Sequence, residues 1–376
     1  MVTTIGKRFN STFSKVFTRK QPAKEPVALV AIAANEAAHI AQFIYHHLQM
    51  GFSPICIITN NCTDATPAIV DAIASGQRGV MRLNGDAFPT KPKERFFQRD
   101  AYSRTLSMLE RRFGKAGYGM FLDIDEFWVP LNGTVSIQDY IDSQERPDLI
   151  AFNWVLPFTD ARTFTLPLGG PVDAVCAMHI KSVWRRDLPR TGLNPHHITS
   201  SAIKTQIAAS GFPLDDDCNM TTGRPPTPGS AAVIHQMFRS QPEYLAALAR
   251  GRPIDTLPFK TNRPGYRSTM VASTAAPLKL AHSLMEPWAE GFEAFVEKHK
   301  LAEAIQTGRR AVLDRARTAL KIYNSMAPDE KATFQTVFQD VDEPRVLADI
   351  EFAKSAGLLD GIFKTVRPTP PNPLED

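Results

Sequence analysis

The residues with the plainest chemical potential are Phe121-Leu122-Asp123-Ile124-Asp125-Glu126-Phe127-Trp128. Three acids follow an apolar stretch and are closed off by two aromatic residues. In extended backbone, residues two apart point the same way, so Asp123 and Asp125 can converge on one point. Two carboxylates that close repel unless one is protonated or a cation lies between them. An all-oxygen set suits Mg²⁺ or Mn²⁺ rather than zinc. A hard cation there would hold a diphosphate and neutralise charge developing on a departing phosphate. A strand-end turn with solvated acids would read similarly, but the apolar flanks argue against it.

Other residue types bear on the same chemistry. His235 follows a short apolar run, Ala231–Ile234, and could complete a cation's shell, touch a diphosphate or be structural. His196-His197 follow Asn194-Pro195 in a loop that could reach the same point. His46-His47 lie on a helix, where His47 reads as a packing or capping residue. Arg95, Arg99 and Arg104 share a long helix and either offer charge to phosphates or form a solvated face. Two polar tips, Asn35-Glu36 and Asn60-Asn61-Cys62-Thr63-Asp64, could hold a base and ribose. Thr63 or Asp64 could equally cap the next helix. No GxGxxG, GxxxxGK[ST] or HExxH occurs, which disfavours a Rossmann dehydrogenase, a P-loop NTPase and a zincin protease.

Positioning these groups requires a buried scaffold. Val27–Ala34 is continuously apolar, as expected of a strand covered on both faces. Glu36–Met50 is helix-periodic and ends at Gly51, a common helix stop. Ile55–Thr59 reads as a strand, Asp64–Ser75 as a helix, Val80–Leu83 as a strand and 93–112 as a long helix; Tyr118–Leu122 then leads into the acids. Strand and helix alternating in this way predict a parallel α/β sheet with right-handed crossovers. Ligands of such sheets bind at the carboxyl ends of the strands. Residues 211–230 read as a Pro/Gly/Asp-rich loop, and the chain turns helical beyond Glu286.

With these motifs in order, the chain resembles the family 2-type glycosyltransferases, in the branch related to family 92. The resemblance rests on Asn35-Glu36, Tyr45-His46-His47, Gly51-Phe52, the Asn61 to Asp64 tip and Leu122-Asp123-Ile124-Asp125-Glu126-Phe127. It continues through Asn153-Trp154, Lys181-Ser182-Val183-Trp184-Arg185, His235-Gln236-Met237-Phe238-Arg239-Ser240 and Ala249-Arg250-Gly251-Arg252-Pro253, covering roughly residues 27–255. It implies a GT-A-type fold: a mixed, mostly parallel sheet flanked by helices, here with a helical C-terminal extension. It also implies a nucleotide-sugar donor and Mn²⁺ or Mg²⁺ at Asp123 and Asp125, with His235 as a further ligand. Asn35, Glu36, Asn61, Asp64, Gln98 and Asp123 would contact the donor. Three positions depart from the family pattern: Cys62 replaces a Ser, Val155–Thr159 replaces a Gly-rich turn, and Gln236 replaces an aromatic residue.

The resemblance implies a metal-dependent, inverting transferase that moves a sugar from a UDP donor to a saccharide or glycan-type hydroxyl. An inverting transferase needs a base within hydrogen-bond reach of the acceptor. Asp160, Asp187 and the Asp215-Asp216-Asp217 cluster stand after the paired acids and are the candidates, Asp187 and Asp216 foremost. A sugar-1-phosphate nucleotidyltransferase is the alternative, although Ala-Ala-Asn-Glu stands where its Gly-rich basic loop would be. A non-catalytic membrane-associated binding protein is another.

Composition sets the boundaries. The chain has 376 residues and carries 43 basic against 39 acidic groups. Residues 1–26 hold six of those bases and one acid, with Ile5, Phe9, Phe13, Val16 and Phe17 at helical spacing. That tail reads as a peripheral anchor on anionic membrane or as a solvated arm. The other 350 residues hold 37 basic and 38 acidic groups, which gives no nucleic-acid footprint. Four cysteines without a CxxC pair, and no signal-peptide core, predict a cytoplasmic protein, peripheral at the inner membrane face if the tail binds. The expected organisation is tail 1–26, transferase domain 27–285, helical region 286–365 and Pro-rich tail 366–376.

Overall fold

The computed structural model describes residues 25–90, 96–131, 136–157, 163–165, 174–217, 219–250, 257–266 and 286–355. The basic tail up to residue 24, the Pro-rich tail, Arg95, Asp160 and Gly251-Arg252-Pro253 lie outside them. Among the described residues no helix is long and apolar enough to cross a membrane.

In chain order the elements are β1 (Val27–Ala33), α1 (Ile40–Gln49), β2 (Ile55–Thr59), α2 (Thr66–Gly76), β3 (Val80–Asn84), α3 (Phe97–Phe113) and β4 (Tyr118–Phe121). After the acids come β5 (Glu126–Pro130), α4 (Ile137–Ser143), β6 (Leu149–Pro157), β7 (Ala174–Arg185), β8 (Gly192–Leu193), β9 (Ile198–Thr199), β10 (Gln206–Ala208) and β11 (Ala231–His235). Helices complete the chain: α5 (Gln241–Arg250), α6 (Glu286–Lys298), α7 (Ala302–Ser325), α8 (Pro328–Phe338) and α9 (Glu343–Ser355).

The large sheet has the order β3-β2-β1-β4-β7-β6-β11-β5, with β10 also on β6. Strands β1 to β4 pair in parallel, β7 is antiparallel to both β4 and β6, and β5 is antiparallel to β11. The mixed, mostly parallel sheet flanked by helices is therefore the architecture expected. Strand β1 shows why its sequence is apolar throughout. Val27, Leu29 and Ala31 face one core with Ile40 and Phe43 of α1, while Ala28 and Val30 face another with Ala101 and Tyr102 of α3. Both faces are covered, so neither set can be polar.

Two boundaries differ from expectation. Helix α1 starts at Ile40 rather than Glu36, because residues 36–39 form a turn in which the Glu36 carbonyl accepts from the His39 and Ile40 N–H groups. Helix α2 starts at Thr66, with Asp64 Oδ1 accepting from the Thr66 N–H at 2.9 Å.

The C-terminal helices divide between two cores. Helix α6 packs Trp288, Phe292 and Phe295 around Tyr45 of α1, with ring centroids 5.2–5.4 Å away, and so joins the sheet's own core. Helices α5, α7, α8 and α9 enclose a separate core that includes Tyr244, Leu313, Phe334 and Ile350. Gly308 of α7 lets that assembly touch the loop after β1. A Cβ there would lie 2.6 Å from the Ala38 nitrogen and 2.7 Å from the Ala37 carbonyl carbon. Those are backbone atoms and cannot swing aside. Gly308→Val should therefore lower stability by about 1–3 kcal/mol, as overpacking typically does. Thermal melts against wild type read this; an unchanged midpoint would refute the close packing.

Candidate active site

The acids owe their surroundings to topology. The chain passes from β4 straight into β5 through Leu122-Asp123-Ile124-Asp125, yet β7, β6 and β11 lie between those two strands in the sheet. The sheet curls, and the turn crosses its edge over the ends of the intervening strands. Asp123 thereby meets Lys181 of β7, and Asp125 meets His235 of β11.

Lys181 is fully buried and joins two carboxylates. Its Nζ stands 3.0 Å from Glu126 Oε2 and 3.3 Å from Asp123 Oδ2. The Asp123 N–H donates to the same Glu126 oxygen at 2.8 Å. Glu126 is closed off completely, whereas the Asp123 side chain is 44% exposed. Burial pushes the Glu126 carboxyl up to about 7, with Lys181 opposing. For Lys181, burial alone would lower the value, but Asp123 and Glu126 outweigh it and hold the ammonium charged.

Asp125 looks the other way. Its Oδ2 lies 3.4 Å from His235 Nε2 and 3.9 Å from the Arg263 guanidinium. Burial would raise its carboxyl, yet His235, Arg263 and Arg239 together hold it well below the ordinary range. The cleft around it is narrow, enclosing about 30 Å³, and is lined by Asn35, Glu36, Glu243, Arg239, Arg250, Arg263 and Arg315 among others. Arg250, from the end of α5, pairs with Glu36 and also reaches the Ala34 carbonyl at 3.3 Å. Arg315 comes from α7. The crowding of cations is visible at buried Lys260, which burial, then Arg250 and Arg263, push down to about 7.

The predicted cation ligands come together only in part. Asp125 Oδ2 and His235 Nε2, 3.4 Å apart, stand about 0.4 Å wider than adjacent ligands on an octahedral ion with bonds of about 2.1 Å, and a small shift would bring them to that spacing. Two protein ligands leave positions for phosphate oxygens and water, the usual habit of Mg²⁺. Asp123 does not join them, its carboxylate being turned to Lys181. Among the described residues no three His, Cys, Asp or Glu side chains converge as a metal cluster.

The remaining candidates fall in three places. Asn35 and Glu36 share the cleft with Asp125. Asn35 and Asn61 both take the left-handed backbone that Asn tolerates, with φ of 55° and 50°. Their bonds tie strand tips together: Asn35 Oδ1 accepts from the Thr63 N–H at 2.8 Å, and the Asn61 N–H donates to Asp86 at 2.8 Å. Asp64 accepts from the Ala37 N–H at 3.0 Å and the Thr66 hydroxyl at 2.6 Å, a cross-link between β1 and α2. Gln98 donates to the Tyr102 hydroxyl at 3.4 Å, and Tyr102 stacks on Phe121 just before the turn.

The two foremost base candidates are not brought to the acids. Strand β7 runs antiparallel to β4, with Arg185 opposite Tyr118, so Asp187 lands at the far end of the sheet. There it pairs with Arg185 at 2.6 Å and lines a separate cavity of about 810 Å³. Asp216 lines another cavity, of about 670 Å³, with Asn194, His197 and Lys204. Asp215 accepts from the Asn219 and Met220 N–H groups, closing its own loop.

His46 and His47 position β5. His46 Nε2 donates to the Trp128 carbonyl at 2.7 Å, and the Trp128 N–H donates back to His47 Nε2 at 3.4 Å. His47 Nδ1 donates to the Phe43 carbonyl at 2.8 Å. Two successive imidazoles thus fasten α1 to the strand that follows the acids.

Sequence reasoning missed the roles of Lys181, Arg263 and Arg315. For Lys181 a signal existed: a lone lysine between Ile180 and Val183 in an otherwise buried strand. No protein-family model matches the chain, and no curated protein matches it. Among solved structures, a galactosyltransferase in complex with donor and acceptor sugar analogs matches at 19% identity with a TM-score of 0.19. The match covers 36% of this chain and 47% of that chain, about half its length. So weak a likeness assigns neither family nor activity.

Two outcomes follow from this geometry. Lys181→Met leaves Glu126 buried without its counter-charge and should cost about 3–5 kcal/mol. Adding Glu126→Gln should recover much of the loss in denaturant melts; a double variant no better than the single would refute the coupling. Burial lowers His46 from 6.5 to about 4, against the Trp128 hydrogen bond. Between those values the unfolded chain holds a proton that the folded one does not. Stability should therefore fall on acidification through that window, by about 1.4 kcal/mol per pH unit for this group. His46→Gln should flatten the slope; an unaltered pH profile would contradict it.

Proposed function

We propose that this protein is a glycosyltransferase that binds a nucleoside diphosphate sugar in the Asp125 cleft. The observation that carries the reading is the pairing of Asp125 with His235 at the edge of a cleft walled by Arg239, Arg250, Arg263 and Arg315. One carboxylate and one imidazole suit a cation; a wall of guanidiniums suits phosphate oxygens, which Arg can bind bidentately.

In this reading Asp125 and His235 would hold Mn²⁺ or Mg²⁺, which supplies Lewis-acid stabilisation of the departing diphosphate. The arginines add fixed positive charge where negative charge develops, at little cost in reorganisation. Asn35 and Glu36 border the donor. Lys181 keeps Asp123 and Glu126 in place, and Asp123 retains an exposed edge that could accept a hydrogen bond from the donor sugar. The nucleotide is most naturally UDP, as the family resemblance implies, and the acceptor a glycan-type hydroxyl.

Calorimetric titration with UDP and Mn²⁺ tests the reading. Wild type should bind, and Asp125→Ala and Arg250→Met should each weaken binding at least about 10-fold, the scale of one lost charge-assisted contact. Undiminished binding by both variants, or none by wild type, would sink the assignment.

A further inference from the structure

The bulge in β7 has a purpose beyond irregular pairing. Asn153 pairs with Ile180 and Val155 with Cys176, so three residues of β7 stand opposite Trp154 alone. The fully buried Asn153 side chain holds that arrangement. Its amide donates to the Ala177 and Met178 carbonyls at 3.0 and 3.3 Å, groups the bulge takes out of the ladder, and its oxygen accepts from the Ser210 hydroxyl at 2.7 Å. The third bulged residue, His179, is thereby turned outward and exposed, with its backbone bridged to Met220.

His179 is nonetheless oriented. Its ring stacks on Trp154 with centroids 4.9 Å apart and planes 16° apart. On the same indole, from β11, stands His235 at 4.4 Å. Three adjacent strands thus present imidazole, indole and imidazole in a row, and the inner imidazole touches Asp125. Centroid spacings of 4.9 and 4.4 Å on either side of the indole leave room, between His179 and the diphosphate side of His235, for an anomeric carbon and an acceptor hydroxyl. Of the carboxylates considered for that task, Asp187 pairs with Arg185, Asp215 closes its own loop and Asp216 and Asp217 line a separate cavity, while Asp160 lies outside the described residues.

We infer that His179 is the general base of the transfer reaction, a role that rests on the transferase reading above. The proton of the acceptor hydroxyl passes to the unprotonated ring nitrogen while the oxygen's electron pair bonds to the anomeric carbon. The carbon–phosphate oxygen bond breaks, and its pair leaves with the nucleoside diphosphate. Being exposed, the imidazolium then returns its proton to solvent. The titratable groups facing it are His235 from β11, His196 from the β8–β9 hairpin and Asp215. Burial of part of the ring, then His235, keep His179 below the usual histidine value against Asp215.

The test uses the full chain with Mn²⁺ and UDP-glucose, UDP-galactose or UDP-N-acetylglucosamine, measuring UDP release by transfer to water. His179→Gln should leave UDP affinity and donor KM within about 2-fold, because it touches no donor group, and lower kcat at least about 100-fold. Its melting point should match wild type, since the side chain is exposed. The acid limb of the wild-type pH–rate profile should vanish, and added imidazole should restore part of the rate to His179→Ala. A variant that keeps kcat within about 3-fold and retains the acid limb overturns the base while leaving the transferase intact. Failure of wild type to bind UDP or turn over any donor overturns both.

Discussion

A single buried ammonium organises this molecule's chemistry. Taking a lysine charge out of water costs several kcal/mol, and only well-placed counter-charges offset it. Lys181 finds two, Glu126 and Asp123, at the two sides of the turn that joins β4 to β5. That turn can meet Lys181 only if the sheet curls, and the same curl delivers Asp125 to His235. The ion cluster and the sheet's shape are thus one constraint. It also explains why two acids two residues apart have different roles: one is claimed by a lysine and the other faces a cleft of arginines.

The cleft is electrostatically unusual for a chain whose described body is nearly neutral. Guanidiniums from α5, from the segment that carries Arg263 and from α7 converge beside the carboxylates of Glu36, Asp125 and Glu243, and buried Lys260 registers the nearby cations by losing proton affinity. Such crowding is partly offset by Glu36 and Asp125, which pair with Arg250 and Arg263. On the reading proposed above, a diphosphate would complete the set, and the burial of these groups would make its contacts strong.

Much of this was legible in residue order, and the parts that were not share a cause. The apolar run of β1, the polar strand tips and the paired acids between aromatic residues are local patterns, so they could be read directly. Lys181 lies 58 positions from Asp123, and only the pairing of β4 with β7 brings them together. The place of Asp187 is hidden from the sequence for the same reason. Distance along the chain after the acids carries no information about strand direction, and an antiparallel β7 returns it to the opposite end. His179 needed a bulge that no alternation of residue types announces. Asp64 reads both as a nucleotide contact and as a cap; its bonds go to the Thr66 N–H and hydroxyl and across to the Ala37 N–H, with Ala65 in the cap position.

The seat of the cleft has a further implication. One wall belongs to the sheet's core, and the other belongs to the separate core built by α5, α7, α8 and α9. Neither core alone supplies the full ring of charged groups. On the reading proposed above, an anion held there would bridge the two cores and so favour their docking as well as its own site. Arg250, Gly308 and Arg315 thus make the helices beyond the sheet part of the cleft rather than an appendage.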